Sequence, residues 1–443
     1  MLAKNDRHVV NGIRAAAHPL TGKDSEFDPL LETIGDSRLV LIGEASHGTH
    51  EFYRIRAQIT KHLITERGFT GVAVEADWPD AYRVNQYARF ESGNEDAIDA
   101  LAGFQRFPAW MWRNADVLDF VGWLRNYNEH RHAKRVGFYG LDLYSLHASI
   151  RAVLDFLDRV DPEAARRARY RYSCFENFGE DTQAYGYAAT FGLAQSCENE
   201  AISQWMEMRQ RAADLAKRDG RVARDAFFFA EQNARLVKNA EEYYRAMFHE
   251  RVSSWNLRDT HMADTLDALR HYPGPGSKIV VWAHNSHLGD ARATEMGQRG
   301  ELNLGQLARQ RYGKEVSLVG FTTYTGTVTA ASGWDNPAER KHVNPALPGS
   351  YEALFHETDI PNFLLVLKEN EKVRSLLQEA RLERAIGVIY LPRSERVSHY
   401  FHAQLPDQLD AVLHFDETRA VEPLERTAAW EAGEVPETYP SML

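Results

Sequence analysis

Reactive side chains recur at one kind of place in this sequence, just after a short run of β-branched and apolar residues. The first run leads into Gly43-Glu44-Ala45-Ser46-His47-Gly48-Thr49. The second ends at Glu75 with Asp77 just beyond, the third ends at Asp142, and the fourth ends in Ala283-His284-Asn285-Ser286-His287. Carboxylates beside imidazoles suit proton transfer at neutral pH, because histidine changes charge near that pH and a carboxylate favours the protonated ring. The same residue types suit metal ligation. Taken singly, Asp77 and Asp142 read as turn or helix-capping residues. Ser46 reads the same way, since the Gly-x-Ser-x-Gly elbow of a nucleophilic serine is absent. The convergence points to a site, because ligands of open α/β sheets bind outside the carboxyl ends of the strands.

The elements that must position these residues follow from hydrophobic pattern. Runs at 38–43, 71–75, 135–141, 278–283, 316–321, 362–367, 385–390 and 411–415 predict strands, and most lack in/out alternation. Strands buried on both faces by helices read this way. Between the first two runs, 51–67 places Phe52, Ile55, Ile59 and Leu63 on one helical face, and between the second and third 110–129 predicts a second, aromatic-rich helix. Such alternation predicts right-handed crossovers and a mostly parallel α/β sheet. Arg56 falls inside the apolar stripe, where a guanidinium needs a partner, and Glu44 and Glu75 on strand ends taken as neighbours are the natural ones. Gly43 and Gly48 flank the Glu44/His47 turn and allow close backbone approach. Ser46 or Thr49 is expected to cap the helix starting near His50, whose first N–H groups would then face the cleft.

Strand signals stop from 146 to 269, a stretch rich in Ala, Arg, Glu and aromatics, and Pro273-Gly274-Pro275-Gly276 ends it. The expected organisation is an α/β core in two halves, 1–145 and 276–443, with a helical insertion over 146–275 forming a cleft wall. His399, His402 and His414 read as structural or surface residues, and 420–443 as an acidic tail packed on the surface.

Length and composition bound the function. At 443 residues the chain can bury a large core, and 44% apolar with 26% charged residues is ordinary globular composition. Its 52 basic against 63 acidic residues leave a formal net charge of −11, which disfavours nucleic acid and anionic membranes as partners. No apolar run approaches the ~20 residues that span a bilayer, and the first residues show no signal-peptide pattern. Cys174 and Cys197 are too few for a disulfide framework and match no zinc spacing, so a reducing, cytoplasmic setting is expected.

The motifs resemble those of the erythromycin esterase family. The resemblance is carried by Leu-Ile-Gly-Glu-Ala-Ser-His-Gly-Thr at 41–49, Arg56, Gly-Val-Ala-Val-Glu-Ala at 71–76 and Phe-Pro-Ala-Trp-Met-Trp-Arg-Asn at 107–114. Gly-Leu-Asp at 140–142, Asn-Leu-Arg-Asp at 256–259, Trp-Ala-His-Asn-Ser-His at 282–287 and Ser-His-Tyr-Phe at 398–401 extend it over most of the chain. It implies an α/β core with helical insertions and a deep cleft. It also implies hydrolysis of a small-molecule ester or lactone without metal or other cofactor, macrolide antibiotics being a lead. On matching positions it implies that His47 activates water, with Glu75 and His284 the other principal residues and Glu44, Arg56 and His287 around them. The residues alone leave two other readings open. One is a hydrolase holding zinc or manganese on the same His/Glu cluster. The other is a non-enzymatic protein holding an apolar anionic ligand such as a porphyrin against Arg56 and the aromatic residues, among which Trp78, Trp110 and Trp112 are candidates and Trp123 is expected in the core.

Overall fold

Runs of Val, Ile and Leu too short and too uniformly apolar for an exposed element become strands buried on both faces. The computed structural model describes residues 4–91, 93, 96–131, 135–215, 220–249, 251–272 and 276–433. Its strands are β1 (His18–Pro19), β2 (Leu39–Ile42), β3 (Gly71–Asp77), β4 (Gly137–Asp142), β5 (Ile279–Trp282), β6 (Val316–Ala330), β7 (Glu339–Val343), β8 (Asn362–Val366), β9 (Arg381–Arg384), β10 (Tyr400–Ala403) and β11 (Ala411–Thr418). Among the described residues, nine of them form one sheet in the order β1-β8-β11-β6-β2-β5-β3-β4, with β7 added to β6. The stretch from β11 to β4 is parallel, while β1, β7 and β8 pair antiparallel. The mostly parallel α/β architecture is the one expected. Every residue of β2, β3, β4 and β5 is buried.

The two halves of the core interleave. β5, reached only after the helical stretch, inserts between β2 and β3, so β2 and β3 are not neighbours as the strand-end argument assumed. Ile42 and Val74 both stand opposite Trp282, and Val74 stands opposite Gly140. Ile42, Val74, Gly140 and Trp282 therefore stand at one level near the carboxyl ends of four adjacent strands, and Glu44, Glu75, Asp142 and His284 follow them by one or two residues.

Other expectations change in detail. The run at 385–390 joins no sheet. It crosses the Glu44–His47 turn instead, where Ile386 N–H donates to Ala45 carbonyl at 2.8 Å. The expected helix at 110–129 is a short 3₁₀ turn, Ala109–Met111, then a helix Ala115–Asn128 whose N-cap Asn114 accepts from Val117 N–H at 2.9 Å. Between β4 and β5 the described chain is helical, including Leu146–Val160, Gly220–Ala246 and Arg251–His271. The break at 273–275 lies outside the described residues. No helix among the described residues is long and apolar enough to cross a membrane.

Two local features were not expected. Cys174 and Cys197, too few for a disulfide framework, are joined in a single disulfide with Cα atoms 6.0 Å apart. Packing of the helical segments brings them together, which their number alone could not reveal. The 420–443 stretch is not simply laid on the surface. Val421 is fully buried, its N–H donates to Gly48 carbonyl at 2.8 Å, and Trp430 is buried against β6. Residues 434–443 lie outside the described part.

Candidate active site

The turn after β2 brings Glu44 and His47 face to face. His47 Nδ1 lies 2.9 Å from Glu44 Oε1, with the carboxylate fully buried and the imidazole nearly so. With Nδ1–H given to Glu44, Nε2 is left as the basic nitrogen, and His47 lines an open pocket. The other carboxylate oxygen, Oε2, lies 3.1 Å from Arg56 Nη2. Arg56 comes from the helix His50–Arg67 and has no exposed surface. Its guanidinium packs between the rings of Tyr53 and Trp282, at 4.6 and 4.8 Å from their centroids. Ring faces and one carboxylate thus replace the water that this charge loses on burial.

The local turn is built by close backbone packing. A Cβ at Gly48 would stand 1.8 Å from Thr329 carbonyl oxygen, and one at Gly43 would stand 2.1 Å from Asn285 Oδ1. These glycines admit β6 backbone and the Asn285 side chain rather than a ligand. The expected helix cap is absent: Thr49 occupies the N-cap position, but its hydroxyl bonds Ser46. Nor does that helix end face the pocket, since His50 N–H donates to Arg419 carbonyl at 2.8 Å.

The second cluster is held by a residue the sequence argument did not assign. Arg258, from the helix Arg251–His271, donates through Nη2 to Glu75 Oε1 and to Asp142 Oδ2, both at 2.7 Å, and through Nε to Asp142 Oδ1 at 3.0 Å. Glu75 Oε2 accepts His284 backbone N–H at 2.9 Å. Burial would push the Glu75 carboxyl up, but His287, Arg258 and His47 outweigh it and hold the group well below the usual carboxylate range. Asp142, likewise opposed by burial, is held low by Arg258.

The two histidines after β5 divide their roles. His284 Nδ1 accepts Ser286 N–H at 3.2 Å, which places the proton of the neutral ring on Nε2. Burial, with the fields of His47 and His287, pushes His284 down to about 3. Its ring lies 4.9 Å from that of His47, centroid to centroid. His287 turns the other way. Its Nδ1 faces Asp259 at 2.9 Å, its Nε2 lies 3.4 Å from Glu75 Oε1, and Trp255 stacks on it at 4.5 Å. Burial pushes His287 down, and Asp259 and Glu75 push it up by more.

A cavity of about 180 Å³ opens onto this cluster. Of the six residues named from sequence, His47 and Glu75 line it. Glu44 and Arg56 stand behind His47, and His284 and His287 stand behind both lining residues. The polar lining is completed by Asp77, Asp80, Arg106, Asp142 and Arg258, and aromatic walls come from Phe104, Phe107, Trp112, Tyr144 and Trp334. Asp77 and Asp142 are therefore more than turn residues: each holds a guanidinium at the cavity. Trp78 and Trp110 are buried in the core, Trp123 is partly buried against it, and His399, His402 and His414 do not line the cavity. Arg258 did carry a signal. It lies three residues after Trp255 and four before Met262, a charge on an apolar helix face like Arg56. No three His, Cys, Asp or Glu side chains among the described residues are grouped to hold a metal ion.

Residues 64–418 match the family model described as erythromycin esterase. The putative hydrolase YbfO of Bacillus subtilis (strain 168) is 21% identical over 435 residues, covering 93% of this chain and 91% of YbfO. The type II erythromycin esterase of Escherichia coli is 25% identical over 337 residues, covering 73% of this chain and 77% of that protein. In structure, a mutant of the erythromycin esterase EreC in its open conformation superposes with a TM-score of 0.65 at 17% identity, over 91% of this chain and 96% of EreC, a likeness of fold.

Proposed function

The chain belongs to the erythromycin esterase family, and we propose that it hydrolyses an ester or lactone by general-base activation of water at His47, without a metal. The observation that carries the reading is the buried Glu44–His47 pair at the cavity. Glu44 fixes the tautomer and favours the imidazolium that forms, and Arg56 stands against its other oxygen. His47 Nε2 takes a proton from water as its oxygen bonds the carbonyl carbon. The tetrahedral oxyanion then collapses, the C–O bond to the leaving group breaks, and His47 returns the proton to the leaving alkoxide. The cations lining the cavity are Arg106 and Arg258, so the developing oxyanion is met there rather than by buried Arg56. Arg258 also supports the metal-free reading: its guanidinium fills the position on which Glu75, Asp142 and His287 converge. A cavity this size is below the ~300–1,000 Å³ of drug-sized ligand sites, so it receives one arm of a larger substrate. A macrolide lactone is the candidate suggested by relatives named for erythromycin.

The test is turnover of erythromycin, other lactones and aryl esters, with and without chelator, in wild type and His47→Ala. General-base loss lowers the rate ~10²–10⁴-fold with the fold retained. An active His47→Ala protein refutes the assignment. Turnover lost to chelator and restored by zinc or manganese refutes the metal-free mechanism.

A further inference from the structure

The cavity holds more carboxyls than cations. Glu75, Asp77, Asp80 and Asp142 line it against Arg106 and Arg258. Arg258 is taken up by Glu75 and Asp142. Arg106 donates Nε to Asp77 Oδ2 at 2.9 Å. Two acceptors remain. Asp77 Oδ1 is buried without a hydrogen-bond partner, on a side chain only 6% exposed. Asp80, three residues on, has no cation paired to it among the described residues; burial with Asp77 alongside outweighs the more distant Arg106, Arg83 and Arg151 and pushes it up to about 7.

Neither carboxyl performs the ordinary task of its position. Asp77 is the N-cap residue of the helix Trp78–Ala88, yet its side chain bonds no helix N–H. An orphaned buried acceptor beside a second acid raises the cost of the empty pocket and favours a cation that enters it. The surrounding surface specifies which cation. Phe107 and Trp334 have ring centroids 5.1 Å apart, Trp112 lies beside Phe104, and all four line the cavity. Aromatic faces favour large, weakly hydrated ammonium groups over small metal ions.

We propose that Asp77 and Asp80, with the Trp112, Trp334 and Phe107 rings, form a cation subsite, and that the substrate is an ester or lactone bearing an ammonium group. The inference rests on the ester-hydrolase reading of His47. It opposes the anionic ligand considered from sequence, which these carboxyls would repel.

The test compares 4-nitrophenyl 4-(trimethylammonio)butanoate with its neutral isostere, 4-nitrophenyl 5,5-dimethylhexanoate, at pH 8. Wild type favours the charged ester by about tenfold or more in kcat/KM, the effect of one well-placed cation contact. The ratio falls toward one in Asp80→Asn, mainly through KM. Calorimetric binding of tetramethylammonium, which needs no turnover, weakens in the same variant. Turnover of both esters without preference overturns the subsite and leaves the hydrolase reading standing. Tetramethylammonium binding without turnover of either ester supports the subsite and counts against the hydrolase reading. An Asp80→Asn protein with wild-type ratio and wild-type binding also overturns it.

Discussion

Replacing Arg258 by Met removes the cation between two buried carboxylates. Its side chain is 13% exposed, and those of Glu75 and Asp142 are 3% and 4% exposed, so solvent screens little of the loss. Breaking a buried ion pair from one side costs about 3–5 kcal/mol, because a desolvated charge is left behind. At ~2.1 cal/mol/K of unfolding entropy per residue, a chain of 443 residues loses about 1 °C of Tm per kcal/mol, so the expected fall is about 3–5 °C. Part of the cost is recovered when one carboxyl takes up a proton. Arg258→Met/Asp142→Asn should therefore be more stable than the sum of the single changes, the non-additivity expected of groups in contact. The assay is thermal melting at pH 7 of wild type, both single variants and the double, with ester turnover on the same samples. Turnover should fall in Arg258→Met, since Glu75 no longer holds its charge beside His284 and His47. A melting temperature within about 1 °C of wild type, or strict additivity, refutes the assignment of Arg258 as counter-charge.

Glu44→Gln keeps the shape of the turn but withdraws the charge behind His47, so kcat should fall about 10²-fold or more with KM little changed; a wild-type kcat would separate Glu44 from the chemistry. Gly48→Ala should lower stability by about 1–3 kcal/mol or more, because the added Cβ meets β6 backbone that has no side chain to swing aside; melting curves decide it. Three buried histidines should each subtract stability as pH falls through the range above the carboxylates. Burial pushes His261 and His284 down to about 3 and His399 to about 4, so each stays neutral when folded while the unfolded chain binds its proton below about 6.5. The associated stability is present above pH 6.5 and is lost as pH falls toward 4. Asp80 and Glu383, pushed up by burial to about 7 and about 8, act the other way over the same range, so the check is relative: His399→Gln should lose less Tm than wild type between pH 6.5 and 4.5, and an unchanged slope would contradict it.

Legible in the sequence alone were the buried strands and the placing of reactive residues after four of them. Both are local: uniform apolar runs cannot be solvated, Glu44 and His284 lie two residues past the strands that carry them, and Glu75 and Asp142 lie in the last residues of theirs. Arg56 could be flagged because a charge on an apolar helical face needs a partner. The run at 385–390 misled for the complementary reason, since its apolar pattern reports burial and says nothing about which backbone it pairs with. Strand order belongs to the tertiary structure. The insertion of β5 between β2 and β3 sets His284 and His287 between Glu44 and Glu75, and no local pattern records a neighbour more than two hundred residues away. Nor does a local pattern record which carboxylates Arg258 meets, the Cys174–Cys197 bond or the pairing of the cavity acids. Asp77 and Asp142 looked like ordinary turn residues until folding brought Arg106 and Arg258 against them. Sequence determined which groups stand at strand ends, because burial acts residue by residue. Only the fold decided which of those groups share a proton, a cation or a cavity, because those energies depend on distances that chain separation does not set.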